Sequence, residues 1–302
     1  MIDVSPPLNL TQLEDRLALV AAELGIPVGR ARVMLCSLVI SQMLPNAVAV
    51  KGGMGVKFRF GEAGTRATAD LDVSTQVHNA KLEDEFEVNL AKGWGRVPAS
   101  RGQLSRDSMS PERVAFTGKL RPRRSHDPGL ARPEYVMQPY RVSLAFLGKD
   151  WGSLDVEISH PEVGVDAHSK KSIDENLHQF ANRFGFGRLR PIELVDLEYQ
   201  IAQKIHAVTD PTYSRAHDLV DLQILWTANP DMKLVREYCL RTFDFRRQQL
   251  WPPIPLRSMR GWNKAYYEAR EETEVNGGTF VLPKIADARN WLLQQIELIE
   301  ES

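Results

Sequence analysis

The stretch Asn46–Thr75, NAVAVKGGMGVKFRFGEAGTRATADLDVST, decides the fold of this chain. Its small apolar residues before Lys51 predict a buried strand, and Gly52-Gly53 ends that strand before a run with helical spacing begins. After a turn, the segment Ala69–Ser74 predicts a second strand. The stretch is therefore predicted to form a strand, a glycine turn, a helix, a turn and a strand.

The paired glycines predict a phosphate-binding turn. Because Gly52 and Gly53 lack a Cβ atom, their main-chain N–H groups can approach an anion closely. The start of the following helix adds unpaired donors and a partial positive charge at the same place. A Gly-Gly pair taken alone is more often an ordinary turn, so the prediction depends on a second feature of the stretch.

That second feature is a pair of aspartates on one face of the second strand. Asp70 and Asp72 are two residues apart, so both side chains project from the same face. Neighbouring carboxylates repel each other unless a cation lies between them, and their hard oxygen atoms suit Mg²⁺ or Mn²⁺. An isolated Asp-x-Asp pair is more often a solvated strand edge. The two pairs lie about seventeen residues apart, and together they favour a phosphate site that uses a metal ion.

These two motifs resemble a known signature. The sequence KGG at Lys51–Gly53, followed by DLD at Asp70–Asp72, is similar to the DNA polymerase β type nucleotidyltransferase superfamily and, within it, to the AbiEii/AbiGii toxin family. The resemblance implies an α+β fold, a minimal nucleotidyltransferase fold with a mixed β-sheet flanked by helices and followed by a helical C-terminal domain. The chain departs from the family at Met54, where Ser or Thr is usual, and this leaves the details of the phosphate contact open.

The composition is that of an ordinary globular protein. The 302 residues carry a net charge of −1, so a nucleic-acid site has to be a local basic patch rather than a global field. Cys36 and Cys239 lie in apolar, helix-like surroundings and are expected to be buried thiols. The first residues lack a basic segment followed by an apolar core, and no uncharged apolar run approaches the length of a membrane span. We therefore expect a cytoplasmic protein.

Helical and strand patterns divide the chain into two expected domains. Amphipathic helices are predicted over Thr11–Leu24 and Gly29–Met43. Strand patterns then dominate until a Gly-, Asp- and Ser-containing connection at Pro161–Lys171, after which helical patterns follow one another. We expect an α/β nucleotidyltransferase domain over residues 1–165 and a helical domain over residues 166–302 that closes the active-site cleft.

A later strand offers a third carboxylate. The segment Trp151–Ser159, WGSLDVEIS, alternates apolar residues with Asp155 and Glu157. Taken alone, it is a half-buried strand whose polar side chains face water. In the superfamily a third carboxylate commonly comes from a strand of this kind. The resemblance therefore makes Asp155 a candidate to bind metal or to accept a proton from the attacking hydroxyl. Glu157 lies on the same face and can replace it in either role.

Two consecutive helix patterns carry a second resemblance. KIHA begins at Lys204, and RAHDLVDL follows over Arg215–Leu222. The toxin family has a similar Lys followed by Arg-x-x-Asp-Leu-x-Asp-Leu, which implies that Lys204 and Asp218 are catalytic. An ammonium group near a triphosphate neutralises the charge that builds up as the bond to pyrophosphate breaks, and Asp218 would orient it or take part in metal binding. The alternative is a salt bridge between two helices, with Asp221 pointing to solvent.

Two basic regions are candidates for RNA contact. Residues 101–124 form either a solvated loop around a hairpin strand at Val114–Leu120 or a surface that tracks phosphates, and both interpretations stay open. The last third of the chain interleaves basic and aromatic side chains, which can hold single-stranded RNA, although the rings also have the spacing of a helical core. The basic residues are Arg101, Arg106, Arg113, Lys119, Arg121, Arg123 and Arg124, then Arg241, Arg246, Arg247, Arg257, Arg260, Lys264 and Arg270.

The expected reaction is attack by an acceptor hydroxyl on the α-phosphorus of a nucleoside triphosphate, with release of pyrophosphate. Bound Mg²⁺ would activate the hydroxyl and clamp the phosphates. The expected metal ligands are Asp70, Asp72 and Asp155, and the expected nucleotide-binding residues are Gly52 and Gly53, helped by Lys57 or Arg66.

The resemblance also implies a biological setting. It points to a toxin of a bacterial toxin-antitoxin system, with the 3′ end of a tRNA as the acceptor and a cognate antitoxin protein as a partner. Two alternatives from other classes stay open. One is nucleotidylation or phosphorylation of a protein hydroxyl, and the other is a nucleotide-binding module without turnover.

Overall fold

The computed structural model describes residues 4–46, 48–75, 80–99, 112–123, 137–159, 169–172, 175–211, 214–247, 249–253, 260–274 and 281–302. In these ranges the helices are α1 (Leu10–Leu24), α2 (Val28–Ser41), α3 (Gly52–Phe60), α4 (Ala80–Lys92), α5 (Glu175–Arg183), α6 (Leu197–Thr209), α7 (His217–Trp226), α8 (Met232–Arg246), α9 (Trp262–Glu274) and α10 (Ile285–Glu301). The strands are β1 (Val48–Val50), β2 (Asp70–Thr75), β3 (Trp94–Pro98), β4 (Glu112–Pro122), β5 (Gln138–Phe146), β6 (Lys149–Ser159), β7 (Ser169–Ser172) and β8 (Ile192–Val195).

The stretch that decides the fold forms the elements predicted for it. β1 ends at Val50, and α3 begins at Gly52 because the chain turns there with a positive φ of 62°. Such a backbone conformation is open to glycine and strained for most other residues. The main-chain N–H of Lys51 donates to the carbonyl of Asp72 over 2.9 Å, which ties the glycine turn to β2.

The described strands form one mixed sheet in the order β3-β4-β5-β6-β2-β1-β8-β7. β2 is antiparallel to β1 and parallel to β6. The register places Asp70 opposite Asp155 and Asp72 opposite Glu157, so these four side chains project from one face of the sheet. The mixed sheet flanked by helices confirms the expected α+β fold.

The other face of the sheet is apolar and covered by helices. Cys36 of α2 lies against Gly152 of β6, and Leu90 of α4 lies against Gly118 of β4. Each apolar side chain of ordinary size buried there stabilises the fold by about 1.5–3 kcal/mol. The sheet is therefore held from one side, and its carboxylate face is left to a cleft.

A second core forms around the later helices. Most of its buried residues come from α6 to α10, among them Tyr199, Leu222, Trp262 and Leu292, and Ala49, Val56 and Val195 join them from the sheet side. Residues of α5 and most of β8 pack instead in the first core, and β8 pairs with β1 inside the edge strand β7. We therefore propose that the two units meet near Val195 rather than between residues 165 and 166.

Two further expectations concern the thiols and the membrane. Cys36 and Cys239 are both buried and free, as predicted. Among the described helices, none is long and apolar enough to span a bilayer alone. Only α1 and α2 taken together pass that test of length and composition, and they meet at a bend of 111°.

Candidate active site

The cleft lies between the end of β1, the strand β2 and the helices α6 and α7. It has a volume of about 590 Å³, and several predicted site residues line it: Gly52, Gly53, Asp70, Asp72, Lys204 and Asp218. Arg66 lines it as well. The glycine pair and the aspartate pair, distant in sequence, therefore share one cleft.

Gly52 is needed for the close approach of the two motifs. A Cβ atom on Gly52 would overlap the Oδ2 atom of Asp72, so no other residue fits there without moving the carboxylate. Gly53 has little more room, because a Cβ atom at that position would lie 2.9 Å from Thr68 Oγ1. The bare backbone thus brings the N-terminus of α3 next to the carboxylates of β2, where its first N–H groups have no partner within the helix.

The carboxylates of the sheet are crowded and poorly balanced by cations. Burial and then the charge of Asp70 raise the pKa of Asp72 to about 6, although Lys51 partly offsets both effects. The pKa of Glu157 is also raised, first by burial and then by Asp70. The sheet wall of the cleft therefore holds negative charge at a free-energy cost that a bound cation would relieve.

On the opposite wall, buried charges alternate in sign. Lys204 Nζ donates to Asp218 Oδ1 over 2.7 Å and to Asp221 Oδ2 over 2.6 Å. Arg66 binds the same Asp221 with two hydrogen bonds of 3.0 and 2.9 Å. Burial opposes the charged forms, but the opposite charges outweigh it, so the pKa of Lys204 is raised and the pKa values of Asp218 and Asp221 are lowered. We call Arg66, Asp221, Lys204 and Asp218 the charge chain.

Asp221 has a place that the sequence did not predict. The salt-bridge alternative had it pointing to solvent, but its side chain is 1% exposed and holds both cations of the charge chain. The spacing contained a signal for this, because residues three apart on a helix share a face and Asp218 precedes Asp221 by three. The correction makes Asp221 the link between the loop that carries Arg66 and helix α6.

Gln200 is another buried polar residue of the cleft that the sequence did not single out. Its Nε2 atom donates to the carbonyl of Gly52 over 2.7 Å, and its Oε1 atom accepts from Arg59. This hydrogen bond fixes α6 to the glycine turn. An isolated glutamine in a helix pattern carries no sequence signal for such a role.

Asp155, the predicted third metal ligand, is held by two arginines. Its Oδ2 accepts from Arg123 over 2.6 Å and its Oδ1 accepts from Arg141 over 2.8 Å, so both oxygen atoms are engaged by guanidinium groups. Glu157 lies directly opposite Asp72 on the neighbouring strand, and its charge, after that of Asp70, helps to raise the pKa of Asp72. The structure thus favours Glu157 over Asp155 as the third acidic residue of the site.

Lys57 faces away from the cleft, contrary to its predicted phosphate contact. Its ammonium group donates to Glu62 Oε1 over 2.8 Å, and Arg30 binds the same carboxylate. The Lys57 side chain is 1% exposed, and burial lowers its pKa to about 8. Helical spacing did not reveal which face of α3 meets the core, and here Lys57 fixes the turn after α3 instead of a nucleotide.

The departure at Met54 has little consequence for the cleft itself. Met54 is 1% exposed and packs in the first core, so its side chain does not face the phosphate turn. A hydroxyl is present nearby at Thr68, which lines the cleft and donates to Asp70 Oδ1 over 3.1 Å. The cleft thus keeps an alcohol beside the glycines, although it comes from another segment.

The donor set fits a hard divalent cation held partly by substrate. No three His, Cys, Asp or Glu side chains in the described ranges are close enough to form a metal site by themselves. Mg²⁺ commonly binds one or two carboxylates and completes its shell with water and substrate phosphates, so Asp70 and Asp72 are sufficient protein ligands. When bound, such an ion would neutralise phosphate charge and acidify an attacking hydroxyl.

Some predicted basic residues cannot be placed. Arg101, Arg106, Arg124 and Arg257 lie outside the described residues. In the C-terminal region Arg246 lines the cleft, whereas Trp262 and Tyr266 are fully buried in the second core. For these two rings the helical-core interpretation of the sequence is therefore the correct one.

The chain is similar to known proteins in sequence and in structure. A family model described as the nucleotidyl transferase AbiEii toxin of a type IV toxin-antitoxin system matches residues 34–291. MenT4, a nucleotidyltransferase toxin from Mycobacterium tuberculosis H37Rv, has a similar structure with a TM-score of 0.50 and 18% identity, over 97% of this chain and 99% of that chain. An H. pylori protein assigned as a nucleotidyltransferase matches with a TM-score of 0.44 and 14% identity, over 89% and 93% of the two chains. A search of the curated proteins finds no significant match.

Proposed function

Because the chain belongs to the AbiEii family of nucleotidyltransferase toxins from type IV toxin-antitoxin systems, we propose that it transfers a nucleotide to the 3′ end of an RNA, with tRNA as the acceptor. The family accounts for a nucleoside triphosphate substrate and an antitoxin partner. Dependence on Mg²⁺ and action in the cytoplasm, where tRNA and triphosphates occur together, are parts of the same proposal.

One observation carries the proposal. The cleft places unbalanced carboxylates on the sheet wall opposite a buried pair of cations on the other wall, with the glycine turn between them. A triphosphate is a polyanion that needs cations along its length, and phosphoryl transfer depends chiefly on positioning and on neutralising charge. The carboxylates of the sheet wall suit a cation, and the two fixed cations of the charge chain suit an anion. The two together suit a metal-bound triphosphate.

The residues of the chain take distinct roles in this reaction. The N–H groups of Gly52 and Gly53 hold phosphate oxygens. Lys204 and Arg66 stabilise the charge that accumulates on the departing pyrophosphate as the bond between the α-phosphorus and the bridging oxygen breaks. Asp218 and Asp221 orient these two cations and keep them protonated.

The proton of the acceptor hydroxyl needs a base. We assign this role to Glu157, because its raised pKa favours holding a proton and its side chain lies beside the acidic pair, one strand away. As the acceptor oxygen forms its bond to the α-phosphorus, Glu157 takes the proton and later releases it to water. Asp155, held by two arginines, is assigned no proton or metal.

The test is a transfer assay with each of the four triphosphates, labelled at the α-phosphate and incubated with total RNA and Mg²⁺. We expect label in the tRNA fraction with wild-type protein and none with Asp70→Ala. Asp231→Ala serves as a matched control that removes a carboxylate from the start of α8, and it should leave transfer intact.

The alternatives predict other outcomes. Label that enters protein rather than RNA would favour nucleotidylation of a protein hydroxyl, and transfer from a γ-labelled triphosphate would favour phosphorylation. Binding of triphosphate and Mg²⁺ with no release of pyrophosphate for any acceptor would leave only a nucleotide-binding module. Each of these results would contradict transfer to RNA.

A further inference from the structure

The carboxylate face of the sheet continues beyond the cleft as a basic surface. The register aligns one row of residues across four strands: Asp70 of β2, Asp155 of β6, Arg141 of β5 and Arg121 of β4. Directly opposed residues in a sheet share a face, so this row leads from the acidic pair to two arginines. At a strand spacing of about 4.8 Å, Arg141 lies roughly 10 Å and Arg121 roughly 14 Å from Asp70 across the sheet.

More cations lie on the same face. Lys119 is two residues before Arg121 on β4, and Arg123 is two residues after it, so alternation places all three on one side. All of them and Arg141 are exposed. We call Lys119, Arg121, Arg123 and Arg141 the basic face. In the described part of the chain, α4 packs on the opposite, apolar side of β4, and α2 packs on the same apolar side of β6.

The basic face contains two like charges that repel each other. Arg121 lies directly opposite Arg141, and like charges at opposed positions destabilise a sheet. One carboxylate, Asp155, binds both Arg123 and Arg141, and Ser153 accepts a further hydrogen bond from Arg141 over 2.8 Å. Asp155 thus fixes the direction of two guanidinium groups whose side chains stay 53% and 46% exposed. Cations oriented in this way and left accessible suit an anionic partner.

The geometry of the reaction decides which anion this is. The glycine turn, Lys204 and Arg66 lie on one side of the acidic pair, and the basic face lies on the other. In phosphoryl transfer the attacking and leaving oxygens are roughly in line, so an acceptor enters from the side opposite the pyrophosphate. The basic face is therefore too far along the sheet for the triphosphate, and it lies where the acceptor approaches.

We propose that the basic face binds the phosphates of the acceptor RNA strand immediately before its 3′-terminal hydroxyl, an inference that rests on the proposed transfer to RNA. Arg141 and Arg123 bind the phosphates nearest the hydroxyl, because Asp155 holds them beside the acidic pair. Arg121 and Lys119 bind phosphates further along the strand. Asp155 is a positioning residue for this surface, which explains why an acidic side chain so near the site makes no contact with the catalytic groups.

The test compares two double variants of equal charge. Lys119→Ser with Arg121→Ser removes two cations of the basic face, and Lys233→Ser with Lys264→Ser removes two exposed cations from α8 and α9. Both pairs are exposed, so neither variant should unfold below the temperature of the wild type. With unfractionated tRNA as the probe, we expect the first variant to raise the KM for RNA about tenfold and to leave the KM for triphosphate unchanged. The control should change neither constant.

Salt dependence gives a second measurement. Each lost phosphate contact makes the slope of log K against log salt concentration shallower by about 0.7 to 0.9. For binding of unfractionated tRNA without triphosphate, the slope of the first variant should therefore be shallower than that of the wild type by about 1.5. Asp155→Asn should raise the KM for RNA less than this double variant does, since the arginines remain but lose their orientation.

The outcomes distinguish a failure of the proposed phosphate surface from a failure of the proposed transfer to RNA. If the wild type transfers no nucleotide to RNA, the proposed function fails. If the wild type does transfer, and the Lys119 and Arg121 variant keeps both its KM for tRNA and its salt slope, only the phosphate surface fails. A variant that binds tRNA normally but escapes neutralisation by antitoxin would overturn the assignment as well, and would make the basic face a protein interface.

Discussion

The sheet wall of the cleft crowds carboxylates together, whereas the helical wall alternates them with cations. On β2 and β6, the pKa values of Asp72 and Glu157 are raised because burial and neighbouring negative charge disfavour ionisation. On α7, the pKa values of Asp218 and Asp221 are lowered although these residues are fully enclosed, because the cations Lys204 and Arg66 lie against them.

This difference indicates what each wall is arranged to do. A buried like-charge group weakens the folded state and is relieved when cations arrive, so the sheet wall favours metal binding at the expense of stability. A buried chain of opposite charges is already neutral and strongly ordered, so the helical wall presents two cations in fixed positions. Substitutions should therefore have opposite effects on stability at the two walls.

The largest effect is expected from Asp70→Asn. The change keeps the shape of the side chain and removes the charge that would bind a cation, so transfer to RNA should fall about 1,000-fold, since a metal supplies several kcal/mol of transition-state stabilisation. Asp155→Asn, one strand away in the same row, should reduce kcat less than about tenfold because its oxygens contact arginines. Initial rates with saturating RNA and triphosphate measure both. Equal losses for the two variants would contradict the distinction between them.

Disruption of the charge chain should cause the largest loss in the free energy of unfolding. Asp221→Asn removes the buried counter-charge that Arg66 and Lys204 share and leaves only Asp218 against Lys204, so the free energy of unfolding should fall by about 3–5 kcal/mol. Glu237→Gln breaks the exposed ion pair with Arg241 on α8 and should change the free energy of unfolding by less than about 0.5 kcal/mol. Urea unfolding monitored by circular dichroism gives both values. A loss below about 1 kcal/mol for Asp221→Asn would show that the chain contributes little.

Substitution of an acidic residue in the sheet wall should instead raise the free energy of unfolding. In metal-free buffer, Asp72→Asn relieves repulsion and desolvation, so it should raise the free energy of unfolding by about 1–2 kcal/mol at pH 7. Addition of Mg²⁺ should stabilise the wild type and not this variant, since binding to the folded state shifts the equilibrium. A variant less stable than the wild type in the absence of metal would mean that the acidic pair is not strained.

The smallest effect concerns pH. The pKa of Asp72 is raised from 3.8 to about 6, so the folded state holds more protons than the unfolded state between these values, and stability falls as pH rises through that window. In metal-free buffer, the stability advantage of Asp72→Asn over the wild type should therefore shrink as pH is lowered from 7 to 5. The pKa of Asp221 is lowered, so its contribution should be fully present above pH 4 and lost below it. A gap between Asp72→Asn and wild type that is constant from pH 7 to pH 5 would contradict the first assignment.

The sequence predicted the elements of the site better than the contacts within it. Alternation in DLDVST placed Asp70 and Asp72 on one face, and helical spacing after Gly53 predicted α3, because both patterns are local. The close approach of Gly52 to Asp72 depends on how β1 and β2 pair, and no local sequence pattern contains that information.

The differences between the expected and the observed contacts have a common cause in long-range pairing. Asp155 resembled a third ligand because its strand has the right alternation, but Arg123 and Arg141 reach it from two other positions in the sheet. The expected domain boundary followed the change to helical patterns, although β8 returns to pair with β1. Lys57 was misplaced because its partner Glu62 follows in the turn and draws the ammonium group into the core.

The most direct test of the central claim is a titration with Mn²⁺ followed by electron paramagnetic resonance, with and without a non-hydrolysable triphosphate. If Asp70 and Asp72 share a cation with a bound triphosphate, wild-type protein should bind Mn²⁺ at least about tenfold more tightly when the triphosphate is present, and Asp70→Asn should lose that gain. Asp155→Asn should keep it. Equal Mn²⁺ binding by wild type and Asp70→Asn under both conditions would contradict the account.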